Sequence, residues 1–134
     1  MLTINNKSDY GLLIVEKLHK QKEYIPLSKI VDNTKLPARF IARIAADLVR
    51  CGILESREGK IGGYKLAKNP DKITLYEFLK VFEEDMQLTK CQNPDYNCDF
   101  QTICNHNNFF RQKLTTILVH ELNNWTLMDV IKKH

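Results

Sequence analysis

The sequence predicts a mainly α-helical fold with one small β-hairpin, completed by a long C-terminal helix. Three observations carry this. Three short apolar-striped segments, separated by polar turns, fill residues 8–51. Two strand-like runs, Ile53–Arg57 and Tyr64–Ala67, flank a glycine-containing turn directly after the third segment. From about residue 107 to residue 123, Phe109, Phe110, Leu114, Ile117, Leu118 and Leu122 recur at helical spacing.

Composition sets the frame. With 134 residues, 43% of them hydrophobic and 27% charged, the chain has the size of one domain with its own core, or of a small domain with an extension. No apolar run approaches bilayer-spanning length and no signal-peptide core opens the chain, so a cytoplasmic protein without a membrane partner is expected. Charge is uneven. Residues 1–70 hold 13 Lys and Arg against 7 Asp and Glu, while residues 71–134 hold 7 against 9. The basic first half is the candidate for a polyanionic partner.

The first helix spans 8–20, with Ser8 as its expected N-cap and Tyr10, Leu13, Ile14, Val15 and Leu18 on the apolar face. Asp9 falls in its first turn, where a carboxylate suits the helix dipole. A second, short helix follows Pro26, with Ser28 near its start and Leu27, Ile30 and Val31 turned inward. The turn Asn33-Thr34-Lys35 leads to a third helix. Pro37 is expected at its first position, Phe40, Ile41, Ile44 and Leu48 on its inner face, and Gly52 at its C-terminal stop. Arg39 and Arg43, four residues apart, share the outer face with Arg50. Short helix, polar turn and arginine-faced helix make a helix-turn-helix pattern, whose third helix would enter a DNA major groove. A solvated basic face is the alternative reading of the same residues.

The hairpin then tips the balance. Arg57 and Lys60 lie at its tip, and its glycines permit unusual backbone angles. A basic hairpin in this place is a wing, able to reach a flanking minor groove or phosphates. The predicted fold is therefore a winged helix-turn-helix over residues 1–85, a loop over 86–106, and dimerisation and C-terminal helices over 107–134. The fourth helix is expected over 73–83, with the capping-box spacing of Thr74 and Glu77.

Three of the four cysteines, Cys91, Cys98 and Cys104, lie in the loop, and Pro94 with Asn93, Asn97 and Asn105 argues against regular structure there. Thiolates are soft ligands suited to iron–sulfur clusters, zinc or copper(I). Three is one short of the usual four, so a fourth ligand must come from elsewhere. One disulfide plus a spare thiol, or three inert thiols, is the bland reading. Cys51, at the end of the third helix, is expected to be a small buried residue.

Together the third helix, the Gly62-Gly63-Tyr64-Lys65-Leu66-Ala67 wing and the cysteine loop resemble the bacterial winged-helix repressors that include the iron–sulfur regulator IscR and the nitric-oxide sensor NsrR. The likeness covers nearly the whole chain. Ser8-Asp9-Tyr10-Gly11-Leu12 resembles the NsrR branch, and Trp125-Thr126-Leu127 resembles the segment that closes family members. The resemblance implies a transcription repressor that binds a near-palindromic double-stranded operator as a homodimer. It implies a DNA-contacting set of Ser28, Arg39, Ala42, Arg43, Arg57, Lys60, Gly62, Gly63 and Tyr64. Ala42 stands where IscR has a glutamate, which implies a different operator. The family's Arg-Gly wing is Glu58-Gly59 here, with Arg57 one place earlier.

The same resemblance implies an iron–sulfur cluster, 2Fe-2S or 4Fe-4S, on Cys91, Cys98 and Cys104. Asp9 of the partner subunit is the favoured fourth ligand and His106 the alternative. A cluster-free regulator of the family, acting through thiol oxidation or zinc, is the second reading. An iron–sulfur redox carrier is the third. No enzyme is expected, since the chain has no Gly-rich nucleotide loop and no acid–base pair beside the cysteines.

Overall fold

The computed structural model describes residues 5–83, 95–100, 102–104 and 107–132. Helix α1 (Asn6–His19) is capped by Asn5, whose side chain accepts from the Lys7 and Ser8 backbone N–H groups. Ser8, expected at that cap, lies inside the helix instead. It is buried, and its hydroxyl has no hydrogen-bond partner among the described residues. Asn5 also donates to Glu83 at 2.8 Å, which ties the start of α1 to the end of the fourth helix. The cap is therefore placed by a contact 78 residues away along the chain.

After α1 the chain turns into α2 (Leu27–Ile30) and then α3 (Ala38–Arg50). Lys17 of α1 donates to the Ile30 carbonyl at 2.6 Å and closes the end of α2. Pro37 sits one position earlier than expected, at the N-cap of α3, because its ψ of 126° is extended rather than helical. Ile41, Ile44, Ala45 and Leu48 are buried on the inner face of α3 against α1 and α2. The helix ends in a reversal at Gly52, whose φ of 80° is in the left-handed region. The Gly52 N–H donates to Val49 and the Ile53 N–H to Leu48, so the last carbonyls of α3 are satisfied. Cys51 corrects its expectation. It is exposed, because the reversal turns it outward at the helix end.

Strands β1 (Leu54–Arg57) and β2 (Gly63–Leu66) form an antiparallel pair with Leu54 opposite Leu66 and Arg57 opposite Gly63. A third backbone joins them. Ile25, between α1 and α2, exchanges two hydrogen bonds with Tyr64, of 2.9 and 2.8 Å. That approach needs a glycine at position 63. Its φ is 142°, and a β-carbon there would overlap the Ile25 carbonyl.

Helix α4 (Leu75–Phe82) starts two residues later than expected. Ile73 and Thr74 stay extended, because this segment bridges to the start of the last helix: Leu75 N–H donates to Trp125 and Leu127 N–H to Ile73, both at 2.9 Å. Thr74 caps α4 by accepting from Glu77 N–H at 3.1 Å. The reciprocal half of the capping box is not made, since the Glu77 carboxylate accepts from Lys68 at 2.7 Å. Helix α5 (Asn107–Asn124) packs on α4, and α6 (Leu127–Ile131) follows with a full capping box between Thr126 and Asp129. Leu127 is fully buried in the core with Ile14, Leu18, Leu48 and Ile73. No helix of the described residues is long and apolar enough to cross a membrane.

Candidate nucleic-acid interface and cysteine loop

The outer face of α3 follows from its inner one. With Ile41, Ile44 and Leu48 turned to the core, Arg39 and Arg43 are left exposed, and Ala46 extends the same row one turn further. Ala42 is half-buried beside them. Neither Arg39 nor Arg43 has an ion-pair or hydrogen-bond partner among the described residues. Arg50, grouped with them in the sequence, behaves differently: it pairs with Asp47 of its own helix at 3.1 Å. Two unpaired guanidinium groups thus mark the first half of α3. Asn33, at φ 61°, makes the turn before it, and Thr34 closes that turn on the Val31 carbonyl at 2.6 Å. Ser28 is exposed in α2, on the near side of the turn.

The wing is arranged around a residue that sequence reading missed. Tyr24 lies just before the Ile25 bridge. Its ring faces the Arg57 guanidinium at 5.7 Å and the Lys65 ammonium at 5.5 Å, and its hydroxyl donates to Glu55 at 3.1 Å. Lys65 approaches the same carboxylate at 3.7 Å. The hydrogen bond to Glu55 is the main reason the Tyr24 phenol is pushed above its usual value, with desolvation adding to it and the Arg57 charge opposing. The signal that could have found Tyr24 is weak, an aromatic residue two before Pro26 with no helical neighbours. Arg57 and Lys60 are exposed. Gly62, Gly63 and Tyr64 are occupied within the protein. A β-carbon on the first glycine would overlap the Arg57 and Glu58 backbone and one on the second the Ile25 backbone, and Tyr64 is half-buried.

In the cysteine loop, Cys98 and Cys104 are half-buried free thiols. Cys104 ends a short turn, its N–H bonded to the Phe100 carbonyl at 2.9 Å. Cys91 and His106 lie outside the described residues. Asp9 is exposed in the first turn of α1. Among the described residues no three Cys, His, Asp or Glu gather at one point, so Asp9 does not join Cys98 and Cys104 within one chain. Two half-buried thiols are soft donors of the kind a cluster takes, so the donor chemistry fits. Asp9 could serve as a ligand only toward the loop of a second copy.

Comparison with known proteins bears on both halves of the site. The model of the Rrf2 family, described as an iron-dependent transcriptional regulator, matches residues 4–133. The chain is 27% identical over 133 residues to the HTH-type transcriptional regulator NsrR of Bacillus licheniformis, covering 97% of this chain and 92% of that protein. It is likewise 27% identical over 133 residues to the regulator IscR of Vibrio campbellii, covering 98% and 78%. Among solved structures it superposes on CymR of B. subtilis, described as the global cysteine regulator, with TM-score 0.74 at 24% identity, covering 100% and 99% of the two chains. IscR of T. potens superposes with TM-score 0.67 at 22% identity, covering 98% and 88%. These two structures establish the shared fold.

Proposed function

The chain belongs to the Rrf2 family of transcriptional regulators, which are DNA-binding proteins and not enzymes, and on that footing we propose an operator-binding repressor controlled by an iron–sulfur cluster. The observation that carries the operator half is the exposed, unpaired Arg39 and Arg43 on α3, flanked by the Arg57 and Lys60 wing. Guanidinium groups at these positions suit bidentate contacts with guanine edges and with phosphates. Ala42 between them offers only a methyl group, which suits a thymine methyl. Ser28 and the wing cations supply phosphate contacts, while Gly62, Gly63 and Tyr64 hold the wing's backbone in place.

In this proposal Cys91, Cys98 and Cys104 hold the cluster, 2Fe-2S or 4Fe-4S, and Asp9 of the partner subunit completes it, with His106 as the alternative. The homodimer forms along α5, where Phe109, Phe110, Leu114 and Ile117 are exposed. A twofold axis there sets two α3 helices against a near-palindromic operator in the cytoplasm. When bound, the cluster supplies an iron site responsive to nitric oxide, oxidant or iron–sulfur status. The chain's own part is mechanical. Asp9 sits at one end of α1, and the segment leaving the other end is hydrogen-bonded to the wing at Tyr64. Ordering or releasing the start of α1 thus biases the placement of wing and α3, a population shift.

The second reading, regulation by thiol oxidation or zinc without a cluster, uses the same two half-buried thiols, Cys98 and Cys104. One experiment separates them. Anaerobically purified protein is analysed for iron, acid-labile sulfide and zinc beside its visible spectrum. Iron and sulfide near stoichiometry, lost in Cys98→Ala together with a change in operator affinity, support the cluster. Comparing Asp9→Ala with His106→Ala then assigns the fourth ligand. A colourless protein that takes up no iron on reconstitution moves the reading to thiols or zinc.

A further inference from the structure

The wing tip carries one apolar side chain that no packing among the described residues explains. Ile61 is 85% exposed, more than any other large hydrophobic residue among the described ones. The hairpin contacts the core through its opposite end, where buried Leu54 pairs with Leu66. The tip turn needs nothing from an isoleucine: it is closed by the Gly62 N–H bonded to the Gly59 carbonyl at 3.1 Å. A β-branched residue is also a poor choice for a turn, where Gly, Asn, Asp and Ser are favoured.

What surrounds Ile61 defines what it fits. Gly59 and Gly62 carry no side chains, so the tip is slim. Its charges are Arg57, Glu58 and Lys60, all exposed, with a net of one positive. The protrusion is narrow, mildly cationic and tipped by a branched hydrocarbon. A protein partner offering a broad apolar face would meet only one side chain. The DNA minor groove, about 6 Å wide and walled by apolar sugar faces between phosphates, matches the shape and both chemistries. We propose that Ile61 is a minor-groove contact of the wing, packing its side chain on the sugar walls or against a base step while Arg57 and Lys60 meet the phosphates. This rests on the operator-binding reading above. It assigns to Ile61 a preference for flanks that are easily opened or unstacked, since pyrimidine–purine steps yield to an apolar wedge at least cost.

The test uses the full-length chain and a duplex that it selects from a randomised pool, titrated by fluorescence anisotropy at several salt concentrations. Ile61→Ser is expected to bind about tenfold more weakly, the scale of taking most of an isoleucine side chain out of water. Its dependence on salt should be unchanged, because a hydrocarbon contact releases no counterions. Lys60→Ala should instead lower the slope of log affinity against log salt by about 0.9. Ile61→Leu should stay within about threefold of the wild type, and the melting temperature of each variant should match it. The inference is overturned if Ile61→Ser binds as the wild type does, if Ile61→Leu loses as much as Ile61→Ser, or if Ile61→Ser flattens the salt slope. If the wild type itself enriches no duplex, the operator-binding reading fails and takes the inference with it.

Discussion

Arg39, Arg43 and Arg50 look alike in the sequence and differ in the folded chain. Arg50 spends its charge on Asp47, and the other two are free to meet a ligand. An exposed ion pair contributes little to stability, so this difference concerns recognition more than folding. Arg43→Ala should leave the melting temperature unchanged, weaken operator binding about fivefold to a hundredfold and relax base preference at one position. An anisotropy titration against single-base variants of the operator checks this, and unchanged base preference would remove Arg43 from the reading set. Tyr24 can be tested through its ring. Tyr24→Phe keeps the aromatic face for Arg57 and loses only the Glu55 hydrogen bond, whereas Tyr24→Leu loses both. Operator affinity should hold in the first and drop severalfold in the second, consistent with a cation–π contact of roughly 0.5–1 kcal/mol at an exposed site. Equal affinities would show that the ring does not position the wing.

At the scale of elements, the two-stranded wing is held by a third segment. The Ile25 backbone makes an isolated bridge to Tyr64, and Gly63 is the point where the two backbones approach too closely for any side chain. Gly63→Ala is expected to destabilise the protein by roughly 1–3 kcal/mol from backbone strain alone. Because the strain falls at the wing, DNA affinity should drop even where the protein remains folded. Thermal unfolding and binding, measured together, check this. The bridge between Thr74 and Thr126 does similar work at the other end of the domain. It draws Leu127 into the core, so a residue near the C-terminus is as buried as Ile14 in α1. Leu127→Ala should cost about 2–5 kcal/mol in unfolding free energy, as for other buried leucines. A cost below about 1 kcal/mol would mean that α6 is an appendage.

At the scale of the whole molecule, the proposed assembly turns on α5. In one chain it presents Phe109 at 79% and Ile117 at 55% exposure, on a face with no covering element among the described residues. Exposed apolar patches of this kind mark association surfaces. Ile117→Glu should convert a dimer into a monomer in sedimentation equilibrium, with helix content retained because Ile117 is not part of the core. A wild type that is monomeric at micromolar concentration would leave Asp9 without a partner subunit to serve, and the fourth-ligand assignment would pass to His106.

Much of the architecture was legible in the sequence, because it rests on contacts between near neighbours. The apolar stripe of α3, the stop at Gly52, the wing after it and the cap at Thr74 each depend on residues within a few positions of one another. So does the pairing of an arginine face with a basic turn, which identified the candidate interface. Tertiary structure alone decided the rest. Asn5 displaces Ser8 as the α1 cap because it also reaches Glu83; Tyr24 and Ile25 belong to the wing; Thr74 delays α4 in order to meet Thr126; and Cys51 faces solvent. Each of these joins segments far apart in the chain or turns on how two elements meet. Helical and strand periods tell which side of an element is apolar. Which partner covers that side is set by the packing of the whole core, and no local pattern encodes it.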